Sequence, residues 1–178
     1  MNACKTRVLT ALATSFALAL PMTSNAAFDA FLKIDGVEGE STDDKHKGEI
    51  VIESWSFGAT HTGASAGSGG GAGKSCLSDL SVVKLVDKAS PVLLSATMTG
   101  VHLPTATISV RKAGGKQQDY MIIKMSDVLV TSVQHSGGGE TPTESLSLNF
   151  GQVKLTYHPQ KPDGSLGAPV ESTASGRC

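Results

Sequence analysis

Apolar and polar residues alternate with a period of two in several separate stretches of the chain. In FDAFLKI (residues 28–34), every second residue from Phe28 is apolar, while Asp29 and Lys33 lie on the other side of an extended backbone. TATISVRK (105–112) alternates in the same way. Enrichment in β-branched and aromatic residues predicts further strands at 49–57, 77–87, 117–125 and 127–134.

One stretch, ASPVLLSATMTG (89–100), has the signals of a helix instead. Ser90 is a favourable N-cap, Pro91 suits the first helical position, and Gly100 can adopt the left-handed conformation that ends a helix. We therefore predict one helix of about nine residues.

The segment ESLSLNFGQVKLTY (144–157) changes its apolar side part-way along. Apolar residues occupy even positions as far as Phe150 and odd positions from Val153. A bulge with one extra residue at Gly151 would return the second half to the buried face. About seven strands and one helix, joined by short turns, predict an all-β, mainly antiparallel barrel or sandwich.

The amino terminus has the three parts of a secretory signal peptide. Lys5 and Arg7 precede an apolar run, Val8–Leu20, which Pro21 and small residues follow. The run is too short to cross a bilayer, so we expect no membrane insertion. Cleavage after Ala26 would leave one domain, residues 27–178, in the periplasm or outside the cell. We expect the tail from about residue 168 to be loosely ordered.

Charge and aromatic content argue against a nucleic-acid partner. The 178 residues have a formal net charge of −1, and only 4% of them are aromatic. Loss of residues 1–26 would remove two basic residues and no acidic one, so the mature chain is slightly more acidic. No basic stretch is interleaved with aromatic residues, as an electrostatic or stacking platform would require.

Two cysteines, Cys76 and Cys178, would remain after cleavage. In an oxidising compartment they can form a disulfide. The alternative is a half-buried thiol and a separate thiol at a frayed terminus, and the sequence does not decide between the two.

A glycine-rich loop, Gly58–Ser75, carries two enzyme-like motifs. Its end, GAGKS, resembles a phosphate-binding loop, but Ser68 occupies the position of the first glycine and strand-like residues follow where a helix is required. GASAG, around Ser65, matches the G-x-S-x-G pattern of serine hydrolases, which also requires a following helix. Because 7 of the 16 residues in 58–73 are glycine, that match carries little weight.

The remaining chemical groups are dispersed. Asp79 or Asp87 with His102 or His135 could complete a hydrolytic triad, but no local signature selects them. The five histidines have no metal-ligand spacing. We expect no catalytic residue, metal or cofactor. A long loop of small, weakly charged residues is usually a lid, a disordered span or a surface that orders against a partner.

Six segments, in this order, run from about Ala27 to Gly167: FLKIDGVEGES, the loop ending GGGAGKS, DLSVVKLVDKASPVLL, ATISVRKAGG, DYMIIKMSDVLVTSV and LNFGQVKLTYHPQKPDGS. Together they resemble the Hcp family, the tube protein of bacterial type VI secretion systems. The resemblance implies a compact β-barrel of two sheets with one flanking helix, a non-enzymatic role, and homohexameric rings that stack into a tube able to carry small effectors. Sheath and spike proteins are the implied partners.

The resemblance also gives the glycine-rich loop a role, because the family's loop projects and touches the neighbouring ring. The implied stacking residues are Gly58, Gly63, Gly67, Gly69, Gly70, Gly71 and Gly73. The signal peptide and the tail APVESTASGRC depart from the family pattern. They leave open a second role, an exported member that acts as a periplasmic or surface binding module.

Overall fold

The period-two stretches form the strands of one large antiparallel sheet. The computed structural model describes residues 28–61, 74–112 and 117–176. Its elements are β1 (Phe28–Ile34), β2 (Ile50–Ile52), β3 (Ser54–Ser56), β4 (Ala59–His61), β5 (Ser75–Leu77), β6 (Leu80–Leu85), α1 (Ser90–Thr99), β7 (His102–Lys112), β8 (Asp119–Ser136), β9 (Thr143–Tyr157) and β10 (Val170–Ser175).

The main sheet curls until its two edges nearly meet. Its strand order is β2-β1-β7-β8-β9-β6-β3, and β10 also pairs with β9. The predicted strand 49–57 is in fact two short strands, because β2 pairs with β1 whereas β3 pairs with β6 at the opposite edge. The Glu53 amide, between β2 and β3, donates to the Val83 carbonyl at 2.8 Å. This crossing nearly closes a β-barrel and confirms the predicted fold class.

Alternation along the strands places one face inside the barrel. Leu32, Ile108 and Ile123, from three neighbouring strands, are fully buried. α1 covers the barrel on one side with Leu93 and Ala96 buried. No helix of the described residues is both long and apolar enough to cross a membrane.

The face switch in β9 is real, but its mechanism differs from the predicted bulge. The β8–β9 register continues unchanged past Gly151, with Ser126 opposite Gln152 and Val128 opposite Phe150. The buried set of β8 switches at the same level, at Asp127, whose φ is 55°. Two paired strands therefore turn over together, and no extra residue is needed at Gly151.

A third strand takes part in this corner. On β7 and β8, Thr105 pairs with Ser126 and Leu103 pairs with Val128. Pro104, which has no amide hydrogen, therefore lies opposite Asp127. The His102 ring Nδ1 lies 2.7 Å from the Asp127 carboxylate. A Cβ added at Gly151 would lie 3.0 Å from that carboxylate, so the corner favours glycine there.

The helix begins differently from the prediction. Ala89 occupies the N-cap position and makes no side-chain cap, while Gly100 has the expected left-handed φ of 65°. Ser90 is buried, and its hydroxyl accepts from the Asp87 amide at 3.1 Å and from Lys84 Nζ at 3.0 Å. The hydroxyl thus joins a buried polar network and does not cap the helix.

That network centres on Lys84, which is fully buried. Its ammonium group donates to Asp87 Oδ1 at 2.7 Å and to the Leu85 carbonyl at 3.0 Å. Glu144, also fully buried, places Oε1 3.5 Å from Lys84 Nζ and Oε2 2.8 Å from His135 Nε2. The lysine therefore compensates the charge of two carboxylates inside the fold.

A second polar cluster attaches the loop 35–49 to the barrel. Arg111 is buried over the Phe31 ring, pairs with both carboxylate oxygens of Asp43 and lies 3.3 Å from Asp29. His46 is buried and stacks against Phe31, at 4.4 Å between ring centroids. The hydrogen bond from Arg111 lowers the pKa of Asp43 to about 2.

The Asp43–Arg111 pair predicts a specific loss of stability in acid. The folded-state pKa is depressed below an unfolded value near 3.9, so the contribution is complete above about pH 4 and disappears as pH falls through about 2. We expect Asp43→Asn to be less stable than the unaltered protein at pH 6, and the difference to shrink between pH 4 and pH 2. Urea unfolding of both proteins at each pH measures it, and a constant difference would contradict the prediction. Asp44→Asn, at an exposed position beside Asp43, is the control.

The carboxyl-terminal segment also differs from its prediction. Residues 170–175, which we expected to be loosely ordered, form β10 along the edge of β9, from Val170 opposite Tyr157 to Ser175 opposite Gln152. Their side chains are all exposed. The ladder with β9 therefore forms without the apolar pattern by which the sequence would signal a strand.

Candidate assembly site

The ends of the glycine-rich loop form a small sheet of their own. β4 pairs with β5, with Ala59 opposite Leu77 and His61 opposite Ser75, and we call these two strands the loop stem. All three residues of β4 are exposed. The stem is thus a separate two-stranded ribbon outside the main sheet.

The stem is firmly attached where it meets the barrel. The Gly58 amide donates to Ser78 Oγ at 2.9 Å, and the Ser78 amide donates to the Gly58 carbonyl at 2.9 Å. Leu77 is buried against the core. Both ends of the loop stem are therefore held against the barrel.

Only one of the predicted stacking glycines, Gly58, lies within the described residues. The other six, Gly63, Gly67, Gly69, Gly70, Gly71 and Gly73, lie outside them. Cys76, in the middle of β5, takes part in a disulfide bond, and Cys178 lies outside the described residues.

The surroundings of the loop do not have the geometry of either enzyme motif. GAGKS leads into β5 and then β6, where a phosphate-binding loop requires the N-terminus of a helix. The same strands follow GASAG, whose Ser65 lies outside the described residues.

The side chains considered for a triad have other partners. Asp79 accepts from Thr131 and Asn149, and Asp87 from Lys84. His102 contacts Asp127, whereas His135 contacts Glu144. None of these contacts joins Asp79 or Asp87 to His102 or His135. Within the described ranges, no group of three or more His, Cys, Asp or Glu side chains is arranged so that it could hold a metal ion.

α1 presents an apolar surface that the sequence analysis did not single out. Val92 and Leu94 are each nearly half exposed, and Met98 is 80% exposed. The helix, SPVLLSATMT, contains no charged residue. Leu94 and Met98, one helical turn apart, lie on the same side of α1, and adjacent exposed apolar residues of this kind can contact another protein.

Comparison with known proteins identifies the family. The model of the family "Type VI secretion system effector, Hcp" matches residues 31–157. The Protein hcp1 of Pseudomonas aeruginosa is 47% identical over 150 residues, which cover 82% of this chain and 93% of that protein. The chain belongs to the Hcp family.

Solved Hcp structures share the fold. A structure described as a type six secretion system protein superposes with a TM-score of 0.78 at 34% identity, covering 84% of this chain and 96% of the other. Hcp1 from Salmonella typhimurium gives 0.68 at 33% identity, with coverage of 84% and 94%. A type VI secretion system effector from Yersinia pestis gives 0.69 at 31% identity, with coverage of 83% and 99%. The main sheet and α1 described above are thus those of the Hcp fold.

Proposed function

We propose that the protein is a non-enzymatic tube subunit, which forms homohexameric rings that stack and carry small effectors of a type VI system. The observation that carries the proposal is membership of the Hcp family across residues 31–157. The attachment of the loop stem to the barrel, through Gly58 and Ser78, supports a role for Gly58–Ser75 in contacts between rings. It holds the two ends of the loop at one place on the barrel. The uncharged, exposed face of α1 supports self-association.

The loop is the part of this proposal that can be tested separately. Ordering a glycine-rich loop costs about 1 to 2 kcal/mol of backbone entropy per residue, and six copies that engage a neighbouring ring together can offset that cost. We expect replacement of residues 63–73 by a Gly-Gly turn to leave a folded hexamer that does not stack.

Light scattering after size-exclusion chromatography and negative-stain images of the mature protein measure this. Gly138→Ala, in the turn between β8 and β9, where a Cβ would meet nothing within 4 Å, is the control and should leave stacking unchanged. Tubes formed by the shortened loop, or a strictly monomeric mature protein, would contradict the proposal.

One observation favours the second role, that of an exported Hcp protein acting outside the injection machine. Cys76 is disulfide-bonded, and such bonds persist in oxidising compartments. Residues 1–26 have the composition of a cleavable signal peptide, consistent with such a location. The genes beside this one would separate the two roles, since a tube subunit is expected among sheath and spike genes.

A further inference from the structure

The carboxyl-terminal end of the described chain lies directly beside Cys76. The amide of Leu77, the next residue, donates to the Gly176 carbonyl at 3.1 Å. A Cβ added at Gly176 would lie 3.8 Å from the carbonyl oxygen of Ser75, the preceding residue. Gly176 therefore contacts β5 on both sides of Cys76 in the sequence.

This position brings one other cysteine within reach. Cys178 follows Gly176 by two residues, which span at most about 7 Å. Bonded cysteines have Cα atoms roughly 4.4 to 6.8 Å apart. The third cysteine, Cys4, belongs to the segment that the proposed export would remove. Cys178 is thus within reach of Cys76, and it is the one other cysteine that remains after cleavage.

β10 also lacks the usual means of holding a terminal strand. All six of its side chains are exposed, so it buries no apolar group. Its Glu171 side chain forms an ion pair with Lys154 at 2.8 Å, but both side chains are nearly half exposed. Such a pair contributes little to stability. Terminal strands held only by a backbone ladder fray. An anchor just beyond β10 would keep this ladder formed.

We propose that Cys76 and Cys178 form an intrachain disulfide that fastens β10 to the loop stem. The clamp couples the last strand of the barrel to the root of the glycine-rich loop, since β5 carries both Cys76 and the end of that loop. Its formation in the cell rests on the export role proposed above, because cytosolic thiols are kept reduced.

The bond forms by two successive exchanges with the disulfide of an exported thiol oxidase. The thiolate of one cysteine attacks a donor sulfur and gives a mixed disulfide, releasing one donor thiolate. The thiolate of the second cysteine then attacks the sulfur of the first and releases the other donor thiolate. In total, the two protein thiols lose two protons and two electrons, and the donor disulfide is reduced to a dithiol.

The full chain, expressed with its own amino terminus and purified from the periplasm without reductant, tests the bond. We expect alkylation to leave both cysteines unlabelled, and non-reducing peptide mapping to find residues 76 and 178 in one linked peptide. Labelled Cys178 in the folded protein, or a link from Cys76 to Cys4 or to another chain, would overturn the proposal.

The mechanical role of the clamp has its own readout. We expect Cys178→Ser and Cys76→Ser each to lower the Tm by roughly 5 to 15 °C. Reduction of the unaltered protein should lower its Tm equally, and the double variant should melt no lower than either single variant. Amide exchange at β10 and Leu77 should accelerate in all of them. Ser172→Ala, at an exposed position of β10, is the matched control and should leave the Tm and the exchange at β10 unchanged. Unchanged exchange at β10 in Cys178→Ser would contradict the clamp even if the bond exists.

A failure of export can be told apart from a failure of the bond. Protein recovered from the cytosol with Met1 intact would refute the export role alone. Oxidised glutathione added to that purified protein then decides the disulfide. A 76–178 link supports the proposal, whereas two free thiols or two glutathione adducts refute it.

Discussion

Lys84→Met is expected to destabilise the fold by about 3 to 5 kcal/mol, because it leaves the fully buried Glu144 and the nearly buried Asp87 without their cation. The methionine nearly preserves the side-chain volume, so lost packing explains little of the change. Urea unfolding at pH 7 measures the free energy of unfolding directly.

Two variants test whether charge compensation is the cause. Lys84→Met combined with Glu144→Leu should regain much of the loss, since an apolar pair of similar volume can replace a buried ion pair. Lys154→Met, which breaks the half-exposed pair with Glu171, should cost less than about 1 kcal/mol. If Lys84→Met costs no more than Lys154→Met, the buried network does not stabilise the fold as we infer.

Gly39→Ala is expected to cost about 3 kcal/mol, at the upper end for added volume in a packed site. Its Cβ would overlap the Glu49 carbonyl oxygen and lie 2.5 Å from Ile50 Cα. Both are backbone atoms, and Ile50 belongs to the core strand β2, so no side-chain rotation can relieve the contact. The loop 35–49 must move away from the barrel.

Gly137→Ala is the matched control for this steric effect. A Cβ there meets nothing within 4 Å, and the residue does not need a left-handed backbone, so its stability should change by less than about 0.5 kcal/mol. Thermal unfolding of the two variants under one condition compares them. Equal melting temperatures would mean that the loop tolerates the extra methyl group.

The sequence was sufficient for elements whose signals are local. β1 has the predicted bounds, because its alternation needs only its own residues. Pro91 and Gly100 likewise indicated both ends of α1, since proline and glycine restrict the backbone wherever they occur. By contrast, the division at Glu53 depends on which strands lie at the two edges of a curled sheet, and no short stretch of sequence encodes that.

The features that sequence reasoning missed depend on distant neighbours. Lys84 shares the inward face of β6 with Leu80 and Val82, but a lysine there has no evident reason to be buried until Asp87 and Glu144 are placed around it. The turn-over at Gly151 was visible, but its partner at Asp127 could not be assigned without the register. β10 has no apolar pattern, so only its ladder with β9 identifies it.

In the candidate site, the expectation that a strand and not a helix follows GAGKS is confirmed, because strand composition is a local property of the sequence. The stem was not predicted, because β4 and β5 have only three residues each and are joined through a long loop. Proximity of Gly176 to Leu77 is a property of the folded chain alone.

The strand order has a consequence for the path by which the chain folds. β7, β8 and β9 are consecutive and pair with their chain neighbours, so these hairpins close short loops and can form early. β1 is synthesised first, yet its partner β7 comes after β6 and α1, and pairing of Ala30 with Val110 must close a loop that spans about half of the domain. Until β1 arrives, β7 is an edge with unpaired backbone groups. That temporary edge, rather than any surface of the finished barrel, is where a newly made chain is most open to pairing with a second chain and aggregating.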